Sequence, residues 1–549
     1  MREPLADLLI VNGRPWSDGA PVPGADGIAI GSGRILAVGG TRALEALAGP
    51  RTRRVDARGA TVTPGITDAH LHLLHWARAQ AQIALAGAAT RAEALARVRR
   101  ALDGRPGATA AIGRGWDANL WNEPPERGVL DAVSGERPVL LHSHDFHALW
   151  VNSAALRAAG VSRDTPDPRG GRIERDAAGE PTGVVREHAV RRFAALEAGV
   201  AGTADAELLP QAVGRLHAFG ITAVHDFEGA EALRALRAVA RAGAAPLRVL
   251  MHLPHAQLDA ALALGLESGI GDDVFRIGAV KLFADGTLGS RTAAVLEPYD
   301  GTTERGMELI PPAELRATVE RALAGGLAVA IHAIGDRAVR SALDAFEAAG
   351  ALAARPALPS RIEHVQLLDP ADRPRFANLG VAASLQPLHC TADLDLVERH
   401  WHTRRERAYP WRTLFAAGAR LAFGSDAPVE SPSVAAGLHA AVTRQRADGR
   451  PGGGFLPAER LTLDEALGAY TEGGARLAGS WPRLGRLAAG LEADLVVWDA
   501  DLHALPAGSL HEAAPMMTLV AGDVAYESAA RSGAAAGAGV AVAMGRGRR

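Results

Sequence analysis

The chain of 549 residues is 48% hydrophobic and 22% charged, with a formal net charge of −3. These values are typical of a folded globular protein and exclude global disorder, and the near-neutral charge excludes nucleic acid as the main partner. The one cysteine, Cys390, excludes an intrachain disulfide and a cysteine-rich zinc module. Residues 1–16 lack the apolar core of a signal peptide, and no stretch has the roughly 18 apolar residues that a membrane span needs. We therefore expect a cytoplasmic protein with no membrane partner.

Short strands are predicted at both ends of the chain, where alternating or apolar runs are broken by glycine and proline. These runs are residues 6–16, 27–40, 485–505 and 515–528. They predict a small β-sandwich built from residues 1–60 and 481–527. The remaining segment, 528–549, is rich in alanine and glycine, so we predict a disordered tail.

Residues 61–480 alternate apolar β-like segments with helical patterns. The strand candidates are TVTPGITDAH, ITAVHD, PLRVLMHL, RIGAVKLFAD, LAVAIHAI, SRIEHVQ, VAASLQP and RLAFGSDAP. Parallel strands with intervening helices predict an α/β fold, a (β/α)8 TIM-like barrel, and their continuous apolar character suits burial on both faces. About 150 residues separate the first strand from the second, which is too long for an ordinary connection. We therefore predict an inserted subdomain at about 76–218, whose own helix opens with a capping box of Thr90 and Glu93.

One lysine, Lys281, stands among the 59 basic residues, and every other basic residue is arginine. Arginine supplies surface charge equally well, whereas chemistry that needs a primary amine cannot use it, because the guanidinium stays protonated. The alternative to a functional role is that one lysine persisted by chance in a sequence biased toward arginine. The position of Lys281 at the end of the fourth predicted strand favours a functional role.

Polar residues recur at the C-terminal ends of the predicted strands, which form the catalytic face of a barrel. His70 and His72 end the first strand, and alternate residues of a strand face the same side, so both imidazoles can bind one metal ion. The other strand ends carry Lys281, His332, His364 and Asp426. An isolated histidine in such a strand is ordinarily a hydrogen-bonded core residue. The ordered set predicts a site for a divalent metal, with zinc expected and manganese, iron or nickel as alternatives.

Several motifs resemble a known family in content and order. They include TPGITDAHLHLL, GRGWDANLW, HSHDFHALW, KLFADGTLGSRTAA, IHAIGDRAV, RIEHVQ and FGSDAPVESP. The chain resembles the amidohydrolase superfamily, and more closely its amidohydrolase family 3 branch, which includes N-substituted formamide deformylases. The resemblance covers nearly the whole chain except the tail.

The resemblance implies a role for each strand-end residue. The histidine pair of the first strand would bind one metal ion, and His332 and His364 would bind a second. Lys281 would react with CO2 to form a carbamate that bridges the ions, although an unmodified lysine that binds a substrate carboxylate is the alternative. Asp426 would bind metal and act as general base in the hydrolysis of a carbon–nitrogen bond of a small molecule. An isomerase or lyase on a carbonyl compound and a non-catalytic binding protein are the other hypotheses, and the oligomeric state is open, a homodimer included.

The predicted insertion and the fourth strand supply candidate substrate-binding residues. Trp116 and Asp117 form either a lid over the metal or the core of the insertion. The segment HSHDFHALW has the spacing of a second metal site, but we favour a substrate-facing role for Asp145 and His147, because the family has an Asp-x-His motif here. Arg291 either clamps an anionic group of the substrate or forms a salt bridge on the rim.

One position of the Asp-x-His motif departs from the family. Phe146 stands where the family usually has glycine. This difference alters the expected shape of the pocket, so the resemblance does not name a substrate.

Overall fold

The computed structural model describes residues 5–104, 110–198, 205–241 and 246–529. Its centre is a sheet of eight parallel strands in chain order. These strands are β1 (Ile66–Leu71), β2 (Ile221–Asp226), β3 (Arg248–Pro254), β4 (Phe275–Phe283), β5 (Val329–Ala333), β6 (Arg361–His364), β7 (Ala382–Leu385) and β8 (Leu421–Phe423). The predicted α/β barrel is confirmed.

The first and last strands meet just beyond the end of β8, so the barrel is nearly closed. Leu71 forms a parallel bridge with Ala427. The amide of Asp426 donates to the carbonyl of His70 at 2.6 Å, and the amide of His72 donates to the carbonyl of Ala427 at 2.8 Å. These hydrogen bonds bring the ends of β1 and β8 together at the C-terminal mouth.

Helices cover the outside of the barrel. The α-helices of this part of the chain are Leu73–Ala79, Asp205–Ala218, Ala230–Arg241, Leu258–Ala263, Pro312–Ala324, Asp336–Ala349, Arg375–Leu379, Pro387–Ala392, Leu394–His400, Trp411–Ala416, Val434–Thr443, Leu463–Gly468 and Gly474–Leu477. The helix after β5 shows why they pack: Val339, Leu343 and Phe346, spaced three or four residues apart, are all buried. No helix in the described part of the chain is long and apolar enough to cross a membrane.

Between β1 and β2 the chain forms a further six-stranded sheet. Its strands are Ile83–Ala84, Ala111–Trp116, Val139–Ser143, Ala148–Val151, Gly171–Arg175 and Pro181–Glu187. The α-helices of this region are Arg91–Asp103, Arg127–Ser134, Ser153–Ala158 and Ala194–Ala198. The hydroxyl of Thr90 accepts from the amide of Glu93 at the start of the first of these helices.

The two chain ends form two more sheets that share an apolar core. One sheet contains Ala6–Val11, Gly27–Gly31, Arg34–Gly39 and Ala48–Asp56, and the other contains Arg14–Ser17, Ala20–Pro21, Thr61–Pro64, Leu495–Trp498, Pro515–Val520 and Asp523–Glu527. Ile10 and Ile28 of the first sheet pack in one cluster with Val62 and Leu495 of the second. The domain boundaries inferred from the sequence stay predictions, and the predicted tail lies beyond residue 529, the last one described, except for its first two residues.

A buried ion pair ties the barrel to these end sheets. Arg248 at the start of β3 binds Asp494 through two hydrogen bonds, Nε to Oδ2 at 2.7 Å and Nη2 to Oδ1 at 2.9 Å. The same aspartate accepts from the amide of Ala521 at 2.8 Å. The N-terminal end of the barrel is thereby held to the end sheets, away from the mouth.

Candidate metal centre and substrate cavity

The predicted ligands converge at the C-terminal mouth of the barrel. His70, His364 and Asp426 each offer one donor atom, and these atoms all lie within 4.8 Å of one another. Asp426 Oδ1 lies 3.5 Å from His70 Nε2 and 3.3 Å from His72 Nε2. The two imidazoles of the HxH pair therefore face one carboxylate oxygen.

His332 and Lys281 complete the cluster. The His332 ring lies 4.5 Å from that of His364. Lys281 Nζ is buried and makes no hydrogen bond among the described residues, and it lies 4.6 Å and 4.8 Å from the ring centroids of Phe227 and Phe283. Burial lowers the pKa of Lys281 to about 8, although the charges of nearby carboxylates oppose the shift. A fraction of this amine is therefore neutral near pH 7.

Two of the clustered residues have an unusual backbone conformation. His364 has φ 76° and Asp426 has φ 58°. Both values lie in the left-handed region, which costs an L-residue of order 1–3 kcal/mol and persists only where the surroundings enforce it. At both positions the strand has just ended, and the turn that follows holds the side chain at the mouth.

Three of the clustered histidines are neutral, and a hydrogen bond from one ring nitrogen leaves the other free to bind a metal ion. Burial lowers the pKa values of His70, His332 and His364 well below the usual range, so these imidazoles are neutral. His364 Nδ1 donates to Gln386 Oε1 at 2.8 Å, which leaves the lone pair on Nε2. His332 Nε2 donates to the carbonyl of Gly286 at 3.1 Å, which leaves the lone pair on Nδ1.

A buried charged layer lies beneath the cluster, and the sequence analysis missed it. His70 Nδ1 donates to Glu363 Oε2 at 2.7 Å, and Arg361 Nε lies 2.7 Å from Glu363 Oε1. Arg361 also contacts His225 Nδ1 at 2.8 Å and His252 Nε2 at 2.5 Å. The available signal was the pair of charges two residues apart in RIEHV, which would place Arg361 and Glu363 on the same face of a buried strand.

One large cavity of about 1220 Å³ opens above the cluster. Its walls come from the barrel mouth and from the insertion between β1 and β2. All five predicted substrate-binding residues line it: Trp116, Asp117, Asp145, His147 and Arg291. Their binding role stays a prediction, but the structure brings them to the same cavity as the metal cluster.

Asp145 joins the insertion to the loop after β4. Its Oδ2 accepts from Thr287 Oγ1 at 2.5 Å and from Ser290 Oγ at 2.8 Å, and its Oδ1 accepts from Ser143 Oγ at 2.5 Å. Burial opposes ionisation, but the charge of His147 and these hydroxyl donors hold the pKa of Asp145 at about 2. Asp145 is therefore ionised at neutral pH and is engaged in positioning the loop.

His147 carries a positive charge beside the cluster. Its Nδ1 donates to Glu187 Oε2 at 2.7 Å, and its ring lies 5.4 Å from that of His332. Burial disfavours the imidazolium, but the Glu187 carboxylate outweighs that effect and raises the pKa of His147 to about 9. Asp145 raises it further.

The other histidines of HSHDFHALW do not join His147 in a second metal cluster among the described residues. His142 pairs with Glu197 at 2.7 Å, and His144 pairs with Glu430 at 3.1 Å. Each of the three histidines therefore has a different glutamate partner. Phe146, which stands where the family usually has glycine, has φ 59° and stacks on His142 at 5.2 Å.

The remaining predicted residues lie in the outer wall of the cavity. Trp116 is buried, donates to the carbonyl of Leu141 at 2.6 Å and packs against Trp121, so it belongs both to the core of the insertion and to the cavity wall. Asp117 accepts from the amide of Asn119 at 2.8 Å.

Two side chains at the barrel mouth complete the cavity wall. The side chain of Arg291 is 48% exposed, and its Nη1 lies 3.9 Å from Glu304 Oε2. His389, in the helix Pro387–Ala392 after β7, has its Nε2 3.7 Å from Asp426 Oδ2.

Comparison with known proteins agrees with this architecture. A profile of the amidohydrolase family matches residues 53–526. The chain belongs to the amidohydrolase family. Members of this family are hydrolases of carbon–nitrogen bonds.

Individual relatives match over most of their length. An N-substituted formamide deformylase of Arthrobacter pascens is 30% identical over 95% of this chain and 99% of its own length. The protein LONG AFTER FAR-RED 3 of Arabidopsis thaliana is 33% identical over 90% of this chain and 88% of its own length. The crystal structure of an uncharacterized metal-dependent hydrolase from Pyrococcus furiosus is 31% identical, with a TM-score of 0.69 over 89% of this chain and 98% of that chain.

Proposed function

We propose that this amidohydrolase cleaves a non-peptide amide or formamide bond of a small molecule with the help of a divalent metal centre at the barrel mouth. The residues that would hold the metal are His70, His72, Lys281, His332, His364 and Asp426. Zinc is the expected metal, as one or two ions, and manganese, iron and nickel are alternatives. The observation that carries this proposal is the convergence of donor atoms of His70, His364 and Asp426 within 4.8 Å.

The donor set fits a metal ion better than it fits a purely structural cluster. Neutral imidazoles with a free lone pair and an ionised carboxylate are the ligand forms that zinc binds. Donor atoms of His70, His364 and Asp426 lie within 4.8 Å of one another at a buried site, where unpaired polar groups are costly. The amine of Lys281 is likewise buried without a hydrogen-bond partner among the described residues, as expected for a side chain whose partner is added after folding.

Lys281 has the chemistry that carbamate formation needs. Only a neutral primary amine attacks CO2, and burial lowers the pKa of Lys281 toward neutrality. The attack forms one N–C bond and releases one proton, and the product is a carboxylate on the lysine stem. Such a group adds two oxygen donors to the cluster.

The protein residues have distinct roles in the proposed hydrolysis. A bound divalent ion supplies polarisation of the substrate carbonyl and a lowered pKa for water. Asp426 accepts the proton of the attacking water and returns it to the leaving nitrogen. Burial opposes its ionisation, but the neighbouring His70 and His72 hold the pKa of Asp426 well below the usual range, so it is a carboxylate. The imidazolium of His147 is placed to donate a hydrogen bond to a substrate oxygen.

Elemental analysis of the purified protein tests the metal centre. We expect one or two transition-metal ions per chain in the wild type, and a lower content in both Lys281→Ala and Lys281→Arg, because neither side chain forms a carbamate. Metal content unchanged in both variants would instead make Lys281 a substrate-binding residue. No metal after reconstitution with zinc or manganese would contradict the proposal.

The single lysine makes the modification directly observable. We expect protein equilibrated with ¹³C-labelled bicarbonate to show a carbamate carbon resonance that Lys281→Arg lacks. An N-terminal carbamate, the other source of such a signal, would persist in the variant.

A screen of N-substituted formamides and N-acyl amines in ¹⁸O-labelled water tests the reaction. We expect label in the carboxylic acid product and loss of activity after treatment with a chelator. A product formed without incorporation of label would favour the isomerase or lyase alternative on the same site.

A further inference from the structure

Two arginines and a histidine lie together at the outer rim of the cavity. Arg291, Arg399 and His400 all line it. Arg291 follows β4, whereas the other two end the helix Leu394–His400. The loop before Arg291 lies next to this helix, because a Cβ added at Gly289 would lie 3.8 Å from Leu396 Cδ1.

Asn119 of the insertion bridges these two elements. Its side-chain Nδ2 donates to the carbonyl of Gly289 at 3.2 Å, and its backbone carbonyl accepts from Arg399 Nη1 at 3.3 Å. One residue thus holds the loop of Arg291 on one side and the guanidinium of Arg399 on the other. The rim is built from three separate parts of the chain, so the proximity of the two arginines is a tertiary feature.

Among the residues that the structure describes, the carboxylates near this rim are loosely paired with its arginines or engaged elsewhere. Asp300, whose charge acts on His400, accepts from Thr403 Oγ1 and lies 3.5 Å from Arg404 Nη1. The nearest carboxylate to Arg291 is that of Glu304, at 3.9 Å, and both side chains are about half exposed. The hydrogen bond that Arg399 makes goes to a backbone carbonyl. Glu398, next in sequence to Arg399, is already engaged by His402 and Arg405, both at 2.8 Å.

His400 adds an unsatisfied polar atom to the same place. Its Nε2 is shielded from solvent and has no hydrogen-bond partner among the described residues. Burial, and then the charges of Arg291 and Arg399, lower the pKa of His400 to about 4.

We propose that Arg291, Arg399 and His400 form a binding site for an anionic group of the substrate, in the wall of the same cavity that holds the metal cluster. A carboxylate is the expected group, because the planar guanidinium donors match its two oxygens. This inference rests on the proposed function, and it narrows the substrate class to N-acyl or N-formyl compounds that also carry a negatively charged group. It also assigns Arg291 to a rim site shared with Arg399.

Anion binding is tested separately from catalysis with benzenesulfonate, a weak metal ligand, and with methyl phenyl sulfone as its neutral counterpart. Isothermal titration calorimetry on the purified full chain measures both affinities. We expect the wild type to bind the sulfonate more tightly than the sulfone. We expect Arg291→Gln/Arg399→Gln to weaken sulfonate binding by about tenfold or more and to leave sulfone binding within about twofold.

A matched control removes two arginines elsewhere. Arg51 and Arg172 are exposed and lie outside the cavity lining, so Arg51→Gln/Arg172→Gln has the same net charge as the rim variant. We expect it to keep wild-type affinity for the sulfonate. Equal weakening of sulfonate binding in both double variants would overturn the proposal, because the effect would then depend only on the net charge of the protein. Equal affinity of the wild type for sulfonate and sulfone would also overturn it.

Once the substrate screen yields a hydrolysed compound, a second readout uses its carboxylate and primary-amide forms. We expect the rim variant to lower the ratio of kcat/KM for the acid to kcat/KM for the amide by about tenfold. An unchanged ratio would overturn the proposal. If no compound is hydrolysed, the proposed function fails while the calorimetric result still decides whether the rim binds anions.

Discussion

Glu363 Oε2 accepts a hydrogen bond from His70 Nδ1 at 2.7 Å, and both side chains are almost completely buried. The two residues are separated by 293 positions in the chain. This contact fixes the orientation of the first-strand imidazole and leaves its Nε2 facing Asp426. Arg361 holds the carboxylate from its other side, so a charged layer inside the barrel supports the metal cluster.

Glu363→Gln is expected to weaken metal binding. Glutamine would still accept the hydrogen bond from His70, but it lacks the negative charge that makes the imidazole a better metal ligand. Loss of a partner of this kind lowers metal affinity by roughly 10–100-fold. Competition with a chromophoric chelator measures the effect. Glu347→Gln, at an exposed position on an outer helix, is the control. Wild-type affinity in a folded Glu363→Gln protein would show that the contact has no role in ligation.

Gly286→Ala is expected to disturb the contact between the insertion and the barrel. A Cβ at this position would lie 2.1 Å from Thr292 Oγ1 and 2.2 Å from Glu187 Oε1. Displacing Glu187 removes the charge that raises the pKa of His147, and overpacking of this kind costs about 1–3 kcal/mol. Denaturant titration and an NMR titration of His147 measure the two effects. Gly128→Ala, where a Cβ meets open space, should change neither.

The raised pKa of His147 predicts that the free energy of unfolding of chelator-treated protein depends on pH. Its folded-state pKa of about 9 exceeds the value of about 6.5 in an unfolded chain. The stabilisation is therefore fully present below pH 6.5 and is lost as the pH rises to 9, with a maximum of ~3 kcal/mol. Denaturant titrations from pH 6 to 9.5 measure this slope.

His147→Asn should flatten that pH dependence. His402→Asn should keep the wild-type slope, because the His402 side chain is 63% exposed. An equal slope in wild type and His147→Asn would contradict the assignment.

Arg248→Met is expected to destabilise the protein strongly. The variant leaves Asp494 buried and without its cationic partner, and breaking a buried pair on one side costs about 3–5 kcal/mol. Urea unfolding followed by circular dichroism measures the loss. Arg54→Met breaks a pair with Glu45 whose side chains are 49% and 42% exposed, so its cost should be much smaller, because water screens an exposed pair. Similar losses in the two variants would show that the Arg248 pair contributes no more than a surface pair.

The strand-end residues were predictable from local pattern. His70 and His72 follow an apolar run at a spacing of two, and His332, His364 and Asp426 each end a run of the same kind. A parallel barrel collects the C-terminal ends of its strands at one mouth, so the order of these residues along the chain sufficed to predict that they meet. The family resemblance added their expected roles.

The partners of those residues were not predictable in the same way. Glu363, Gln386 and Glu187 are ordinary polar residues in the sequence, and their importance lies in contacts that span large separations along the chain. The three histidines of HSHDFHALW illustrate the limit, because their spacing also suited a second metal site. The structure gives each one a separate glutamate, since the strand reverses direction there and the side chains diverge.

The sequence by itself determined the fold class, the set of strand-end polar residues and the place of the single lysine among them, because these depend on periodicity and on the identity of individual side chains. Only the tertiary structure decided which hydrogen bonds the clustered histidines make, that the insertion forms part of the cavity wall, and that Asn119 connects the loop of Arg291 to Arg399. Those features depend on distances and burial between segments far apart in the chain, and neither quantity is encoded in local spacing.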